Sequence, residues 1–248
     1  MKNTMKRIAL ITGANKGLGF ETARQLGAKG IKVLMASRDK VKGQEAVNQL
    51  KSEGLDVELL QLEATNVDHI LGVKDFIASQ YGRLDILVNN AGIIHPDEPL
   101  GTNTSESISS ATLAETFDVN FFSIVKLTQE LLPLLKKSDA GRIVNLSSIL
   151  GSNTVQSDVE SPYYTVKPFA YDASKAALNA FTVHLAASLK GTNVKVNSAH
   201  PGWVKTDLGT KNAPMEIVDG AKTSVSLSLK EETDFNGKFM HLGEEVAW

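Results

Sequence analysis

The stretch "RIALITGANKGLG", residues 7–19, decides the fold. A short apolar run ends in three glycines, Gly13, Gly17 and Gly19, and a segment with helical periodicity follows. Glycine lets the chain turn tightly after a strand, approach a ligand closely and present helix amides to a phosphate. The spacing lacks the Gly-Lys-Ser/Thr ending of a nucleoside-triphosphate loop, so the stretch predicts a dinucleotide site rather than an ATP site.

The rest of the chain repeats the alternation of short apolar runs with amphipathic segments of helical length. This pattern predicts βαβ units and a parallel sheet buried on both faces. Helices are expected to begin near Lys16, Asp39, Asn66, Ser110, Phe169 and Ala213, and strands at Arg7, Lys32, Val57, Asp85, Arg142, Val194 and Gly237. We therefore expect one α/β domain over residues 1–248, a Rossmann-type doubly wound fold with a seven-stranded parallel sheet and helices on both faces.

Composition narrows the classes of function. The net charge of -2 and the scattered basic residues give no stripe suited to nucleic acid. The chain has no cysteine, and its five histidines show no paired ligand spacing, so we expect no metal site. No apolar run reaches the roughly 20 residues of a membrane span, and the run at Ile8–Ile11 is too short for a signal-peptide core. A cytoplasmic protein is the expectation.

The end of the second predicted strand, "MASRD", bears on the choice of cofactor. Arg38 offers a planar guanidinium to a ribose 2′-phosphate, and Lys16 in the glycine turn adds a second positive charge. Asp39 is the counter-indication, because an acidic residue at this position can accept a hydrogen bond from a ribose 2′-hydroxyl. Its other interpretation is a negative charge at the next helix N-terminus. The pattern favours NADP(H) over NAD(H).

Two tyrosine–lysine pairs share a four-residue spacing, Tyr163 with Lys167 and Tyr171 with Lys175. Such a pair lies on one helix face only where the segment is helical. The first pair is flanked by two prolines, which predicts an extended loop. The second opens the alanine- and leucine-rich segment "YDASKAALNAFTVHLAASL", which predicts a helix. Tyr171 and Lys175 are therefore the candidates for chemistry.

A free tyrosine has a pKa near 10 and is a slow proton donor at neutral pH. A neighbouring cation stabilises the phenolate. If Lys175 and the positive charge of an oxidised nicotinamide lowered the pKa of Tyr171 by about 2 to 3 units, the phenolate would be stabilised by roughly 3 to 4 kcal/mol. Tyr171 could then exchange a proton near neutral pH.

Several motifs in order along nearly the whole chain resemble the short-chain dehydrogenase/reductase family. They are "TGANKGLG", "NNAG" at 89–92, Asn120 in "DVNFF", "NLSS" at 145–148, "YDASK" at 171–175 and "HPGWVKT" at 200–206. The glycine turn together with "ASRD" is similar to the carbonyl reductase branch. The family implies NADP(H)-dependent interconversion of carbonyl and hydroxyl groups.

The resemblance also implies roles for particular residues. Tyr171 would be the general acid/base, Ser148 would hold the substrate oxygen, Lys175 would also bind the nicotinamide ribose, and Asn120 would help to hold a proton-relaying water. Cofactor contacts are implied for Gly13, Asn15, Lys16, Gly17, Leu18, Gly19, Arg38, Glu63, Ala64, Asn90, Ala91, Gly92, Tyr171, Lys175, Pro201, Gly202, Val204 and Thr206.

Two departures from the family pattern leave questions open. Glu63 stands where the family usually has aspartate near the adenine, so its contact can be kept or shifted. The segment between Ser148 and Tyr171 is longer than in many members, as in the carbonyl reductase branch, which implies a monomer or homodimer rather than a tetramer. The aromatic residues of that segment, Tyr163, Tyr164 and Phe169, either cover a bulky substrate or pack the loop onto the domain.

Together, these motifs and residues predict that the protein reduces a small-molecule ketone or aldehyde with NADPH. The substrate loops are expected at 93–110, 149–170 and 203–215. The alternative is a regulatory protein that binds NADP(H) and signals without turnover, for which a phenol beside a lysine has no purpose. His200 is interpreted as a turn residue, and Trp203 either lines the pocket or anchors its loop.

Overall fold

The structure, a computed structural model, describes residues 6–98, 102–229 and 235–248. Part of the predicted loop 93–110, residues 99–101, lies outside the described residues. The strands in the described ranges are β1 Ile8–Thr12, β2 Lys32–Ser37, β3 Val57–Gln61, β4 Ile86–Asn89, β5 Arg142–Leu146, β6 Lys195–Ala199, β7 Phe239–His241 and β8 Glu244–Glu245. The first seven confirm the predicted strands.

Helices fill the intervals between the strands, as the periodicity predicts. They are α1 Gly17–Ala28, α2 Lys40–Ser52, α3 Val67–Tyr81, α4 Ser110–Phe117, α5 Ser123–Leu135, α6 Asn153–Ser157, α7 Phe169–Ser188, α8 Ile217–Gly220 and α9 Lys222–Ser228. A π-helical turn, Asp118–Phe122, joins α4 to α5, and a 3₁₀ turn, Ile149–Gly151, follows β5. Among the described helices, none is both long enough and apolar enough to span a bilayer.

The strands form one sheet in the order β3-β2-β1-β4-β5-β6-β7-β8. All pairings from β3 to β7 are parallel. The strand order reverses between β1 and β4, and in doubly wound sheets ligands bind at the carboxyl ends of the strands at that point. The glycine turn after β1 and the "NNAG" segment after β4 meet there.

Side chains of successive strand residues point to opposite faces, and both faces are covered. In β1, Leu10 packs with α3, α5 and α7 residues such as Ile70 and Leu131, whereas Ile11 packs with α1 and α2 residues such as Leu26 and Val47. All five residues of β1 are buried. This explains why its sequence is a continuous apolar run rather than an alternating one.

Two details of the predicted fold are wrong. The sheet has an eighth strand, β8, which pairs antiparallel with β7 through a tight turn at Leu242 and Gly243, both with positive φ. The helix expected near Ala213 begins instead at Ile217. Ala213 precedes a proline, which disfavours helical geometry, and Met215 pairs with Val204 in an isolated β-bridge.

Candidate active site

The glycine turn after β1 is shaped by two backbone conformations and one asparagine. Gly13 and Gly17 have φ of 64° and 58°, which favour glycine. A Cβ on Gly19 would lie 2.5 Å from the Gly13 carbonyl oxygen. The Asn90 amide nitrogen donates to the Thr12 and Gly13 carbonyls at 2.7 and 3.2 Å. The loop after β4 therefore holds the glycine turn in place through the side chain of Asn90.

The N-terminus of α1 opens directly from this turn. Lys16 is the N-cap residue with an extended backbone, and its side chain does not cap the first amides of the helix. Uncapped amides and the positive end of a helix dipole suit a pyrophosphate, so the turn fits the predicted dinucleotide. The Lys16 ammonium forms an ion pair with Asp207, which the sequence did not indicate. Both side chains are mostly exposed.

The side chains of Arg38 and Asp39 have different surroundings in the structure. The Asp39 carboxylate caps α2 by accepting hydrogen bonds from the amides of Val41 and Lys42 at 2.9 and 3.0 Å. Arg38 is exposed at the carboxyl end of β2. Within the described ranges its guanidinium makes no hydrogen bond or ion pair. The helix-cap interpretation accounts for Asp39, and Arg38 is left available to a ligand.

Most of the other predicted cofactor residues follow the carboxyl ends of strands β1, β3, β4 and β6. Glu63 is partly exposed, and its backbone amide donates to His69 Nδ1 at 3.1 Å. Val204 is buried, and Thr206 accepts a hydrogen bond from the Gly209 amide at 3.1 Å. The partly exposed remainder is Asn15, Leu18, Ala64, Ala91, Gly92, Pro201 and Gly202.

Asn120 lies in the π-helical turn between α4 and α5 and is completely buried. Its side-chain oxygen accepts from the Ile93 amide at 2.8 Å, and its nitrogen donates to the Ile93 carbonyl at 2.8 Å and to Ser174 Oγ at 3.1 Å. The extra residue of a π turn often marks a functional site. Here it ties the loop after β4 to α7. The water expected beside Asn120 stays a prediction.

Ser148 and Tyr171 meet at the carboxyl end of β5. Ser148 begins the 3₁₀ turn, with its hydroxyl accepting from the Leu150 amide at 3.2 Å, and it is 8% exposed. The Ser148 side chain is near enough to the Tyr171 phenol to lower its pKa. Two hydroxyl groups 23 positions apart in sequence therefore face the same site.

Lys175 lies one helical turn after Tyr171 on the same face of α7. Its ammonium is 5.6 Å from the centre of the tyrosine ring and donates to the Leu146 carbonyl at 2.8 Å. A Cβ on Gly92 would lie 3.3 Å from that ammonium, so the loop after β4 approaches it closely. The structure thus brings together all four predicted catalytic residues.

In the protein by itself the pKa of Tyr171 is raised, and the lowering expected beside an oxidised nicotinamide stays a prediction. Burial of the phenol raises the pKa of Tyr171 to about 12, although the Ser148 side chain lowers it. Burial lowers the pKa of Lys175 to about 8. Removal of water is the largest cause of both shifts, and the ammonium donates to a carbonyl oxygen rather than to the phenol oxygen. The Tyr171 phenol is therefore neutral at physiological pH in the protein by itself.

The first tyrosine–lysine pair has no comparable geometry. Residues 162–165 form a turn rather than the extended loop expected, and the Val166 amide donates to the Tyr163 carbonyl at 3.0 Å. The Lys167 ammonium binds the backbone and side-chain oxygens of Gln156 and lies 4.8 Å from the centre of the Tyr164 ring. Lys167 therefore anchors its own loop.

A cavity of about 320 Å³ is lined by parts of the predicted substrate loops and by the sheet end. Its walls are Ile149, Tyr163, His200, Gly202, Trp203, Pro214, Met215, His241 and Val246. Tyr163 thus lines the cavity, whereas Tyr164 and Phe169 are substantially exposed. Trp203 does both things that were expected of it, since it lines the cavity and its indole donates to the Gly209 carbonyl. In the described part of the chain, no three His, Asp or Glu side chains cluster as metal ligands would.

Two residues beyond the predicted site contact it. His200 is 7% exposed, and burial lowers its pKa to about 3. Its Nδ1 accepts from the amide of Ile149, next to Ser148, at 3.2 Å, so it supports the serine as well as the turn. Glu98 is 1% exposed and contacts the amides of α7. No local pattern marks either contact, because each joins residues far apart in sequence.

The parallel sheet, the glycine turn at its switch point and the cluster of Ser148, Tyr171 and Lys175 are the features of a doubly wound α/β protein with a site suited to a dinucleotide. Residues 7–217 match the short chain dehydrogenase family. The chain is 36% identical to a short-chain dehydrogenase/reductase of Aspergillus fumigatus, covering 96% of this chain and 93% of that one. It is 32% identical to the NADPH carbonyl reductase 3 of Rattus norvegicus, covering 92% of each.

Solved structures agree with this assignment. An NADPH-bound carbonyl reductase from chicken fatty liver superposes with a TM-score of 0.84 at 27% identity, over 98% of this chain and 99% of that one. The chain belongs to the short-chain dehydrogenase/reductase family, and within it resembles the carbonyl reductases.

Proposed function

We propose that this oxidoreductase uses NADPH to reduce the carbonyl group of a ketone or aldehyde. The observation that carries the proposal is the convergence of three side chains: Ser148 acts on the Tyr171 phenol, and the Lys175 ammonium lies 5.6 Å from the centre of the tyrosine ring. The Lys175 ammonium approaches Gly92 in the loop after β4, and Asn90 of the same loop binds the glycine turn, where a dinucleotide fits. Two converging hydroxyl donors suit an oxygen atom that gains negative charge during a reaction.

The chemistry of the chain's own residues follows from their protonation states. A carbonyl oxygen that becomes an alkoxide is a far stronger base than a phenolate, so a neutral Tyr171 gives up its proton to it favourably. Ser148 donates a second hydrogen bond to the same oxygen and holds it in place. The Lys175 ammonium stabilises the phenolate left behind, because an opposite charge nearby favours the ionised form.

NADPH, when bound, supplies the hydride. The uncapped amides at the start of α1 would hold its pyrophosphate, and Arg38 would pair with the 2′-phosphate. The exposed ion pair of Lys16 with Asp207 contributes little to stability. Lys16 can therefore exchange Asp207 for a phosphate at little cost, which supports its predicted place in the cofactor site.

The cavity, which is lined by Ile149 directly after Ser148, favours a substrate with an apolar body. Ile149, Tyr163, Trp203, Met215 and Val246 contribute apolar surface to its walls. Apolar walls with a few polar groups are typical of small-molecule sites. A volume of about 320 Å³ suits a small-molecule carbonyl compound rather than a macromolecule.

The test is consumption of NADPH by the purified protein with a broad panel of apolar ketones and aldehydes, followed by absorbance of the reduced cofactor. The proposal expects turnover with several of them. Tight binding of NADPH without consumption across the whole panel would contradict it and indicate the sensing alternative.

Cofactor preference is tested with Arg38→Ala. Loss of the guanidinium should weaken NADPH by about 10-fold or more and leave NADH within about 2-fold, because only NADPH carries the 2′-phosphate. Lys51→Ala, at the far end of α2, is the control for a general loss of positive charge. Equal losses for both cofactors would remove Arg38 from the phosphate site. Dissociation constants from fluorescence titration give this comparison without any substrate.

A further inference from the structure

The helix that carries Tyr171 and Lys175 begins without a cap of its own. Its N-cap residue is Pro168, which has no side-chain hydrogen bond to offer. The first amides of any helix lack partners within the helix, and buried amides without partners destabilise the fold. The beginning of α7 therefore depends on acceptors from elsewhere in the chain.

Those acceptors come from the loop after β4. Glu98 Oε1 accepts from the Ala170 amide at 2.6 Å, and Oε2 accepts from the Tyr171 amide at 3.0 Å. Thr104 Oγ1 accepts from the Phe169 amide at 3.0 Å and donates to Glu98 Oε1 at 2.8 Å. The three successive amides at the start of α7 are thus all held by Glu98 and Thr104.

Glu98 is suited to this position by charge as well as by shape. A carboxylate at a helix N-terminus interacts favourably with the helix dipole and with several amides at once. With 1% of its surface exposed, Glu98 has little water to compete for these hydrogen bonds. One of its two oxygens binds the backbone of Tyr171 itself, so the position of the phenol depends on where Glu98 stands.

We propose that Glu98 is a positioning residue for Tyr171, replacing the missing N-cap of α7 and setting the place of the phenol relative to Ser148. This inference rests on the function proposed above, in which Tyr171 donates the proton. It assigns to the loop after β4 a direct part in the geometry of catalysis.

The charge of Glu98 also reaches the next residue of the helix. Burial, followed by the Glu98 carboxylate, raises the pKa of Asp172 to about 8, although the Lys167 ammonium lowers it. Asp172 Oδ2 accepts from the Gln156 side chain at 3.3 Å. Its Oδ1 is buried with no hydrogen-bond partner among the described residues. Glu98 therefore has an electrostatic effect that a neutral substitute cannot reproduce.

The test uses two variants and a matched control. Glu98→Gln removes the charge and replaces one acceptor oxygen by a donor, and Glu98→Asp keeps the carboxylate on a shorter stem. Asp85→Asn is the control, because Asp85 is also a buried carboxylate that accepts from a backbone amide, that of Ile8 at 2.9 Å. Asp85 precedes β4, at the opposite end of the sheet from the site.

We expect Glu98→Gln to lower kcat by about 10- to 100-fold, since small displacements of a catalytic group are costly. The Kd for NADPH should stay within about 2-fold, and Glu98→Asp should recover part of the loss. Asp85→Asn should change kcat only in proportion to the fraction of folded protein. A kcat for Glu98→Gln that equals wild type, or that falls only as far as the folded fraction falls, would overturn the proposal.

Amide hydrogen exchange tests the same claim without turnover. The amides of Ala170 and Tyr171 should exchange at least about tenfold faster in Glu98→Gln than in wild type, with no change in Asp85→Asn. Unchanged exchange at these two amides would overturn the positioning role whatever the activity. A wild-type protein that reduces no carbonyl would instead contradict the proposed function, so the two failures are distinguishable.

Discussion

Tyr163 with Lys167 and Tyr171 with Lys175 have the same spacing in sequence, and their surroundings separate them. The first pair lies in a turn between two prolines, and its lysine binds Gln156. The second lies on one face of a 20-residue helix, and its tyrosine meets Ser148. Spacing alone therefore does not make a site. Backbone conformation decides whether two side chains share a face, and burial decides how they titrate.

The largest difference should appear when each tyrosine loses its hydroxyl. Tyr171→Phe should lower kcat by about 10²- to 10⁴-fold, the usual contribution of a general acid. Tyr163→Phe should change kcat by less than about 3-fold. Because Tyr163 lines the cavity, its larger effect should be on KM. Steady-state rates with NADPH and the best carbonyl of the panel measure both. The opposite order of losses would exchange the roles of the two tyrosines.

Removing the two ammonium groups sharpens the contrast. Lys175→Met should lower kcat by about 10²-fold, because the phenolate loses its nearest cation and the Leu146 carbonyl its donor. Lys167→Met should instead destabilise the protein by about 1 kcal/mol through its lost hydrogen bonds, with kcat within about 3-fold. Thermal unfolding separates the second effect from the first. A large loss of kcat in Lys167→Met with an unchanged Tm would not fit this account.

The smallest of the expected effects is a change in the rate of reduction with pH. Burial lowers the pKa of Lys175 to about 8, so its ammonium is present below that pH and lost above it. Because the ammonium favours proton transfer, kcat/KM for reduction should fall as pH rises through about 8. Burial raises the pKa of Tyr171 to about 12, so the phenol adds no change in this range.

The Asp172 carboxyl needs its own control in that experiment, since its pKa is also raised to about 8. Asp172→Asn should retain the decline if Lys175 causes it. Lys167→Met should retain it too, whereas Lys175→Arg should move it to higher pH, because a guanidinium keeps its charge. A decline that disappears in Asp172→Asn would assign it to the carboxyl instead.

Much of the contrast between the two tyrosine–lysine pairs could be predicted from the sequence, because it depends on residues that are close together in the chain. Pro162 and Pro168 exclude a helix over the first pair, and alanine-rich sequence supports one over the second. The glycine turn is equally local, because Gly13 and Gly17 adopt positive φ within one stretch. The seven strands were predictable for the same reason, since continuous burial gives continuous apolar runs.

Contacts between distant residues could not be read in this way. Glu98 reaches Ala170 and Tyr171 across more than 70 residues of sequence, and nothing in "HPDEPLGTNTSESISS" marks it as a helix cap. The pKa of Tyr171 depends on how much protein surrounds the phenol, which no spacing reveals. Strand β8 was missed because Leu242–Gly243 is not one of the usual hairpin-turn pairs.

The most direct measurement is a crystal structure of the protein with NADP(H) and a carbonyl compound or inhibitor in the cavity. This account predicts the Tyr171 and Ser148 hydroxyls both within about 3 Å of the ligand oxygen, with Tyr163 on the cavity wall. A ligand oxygen bound by Tyr163, with the Tyr171 ring directed away from it, would contradict it.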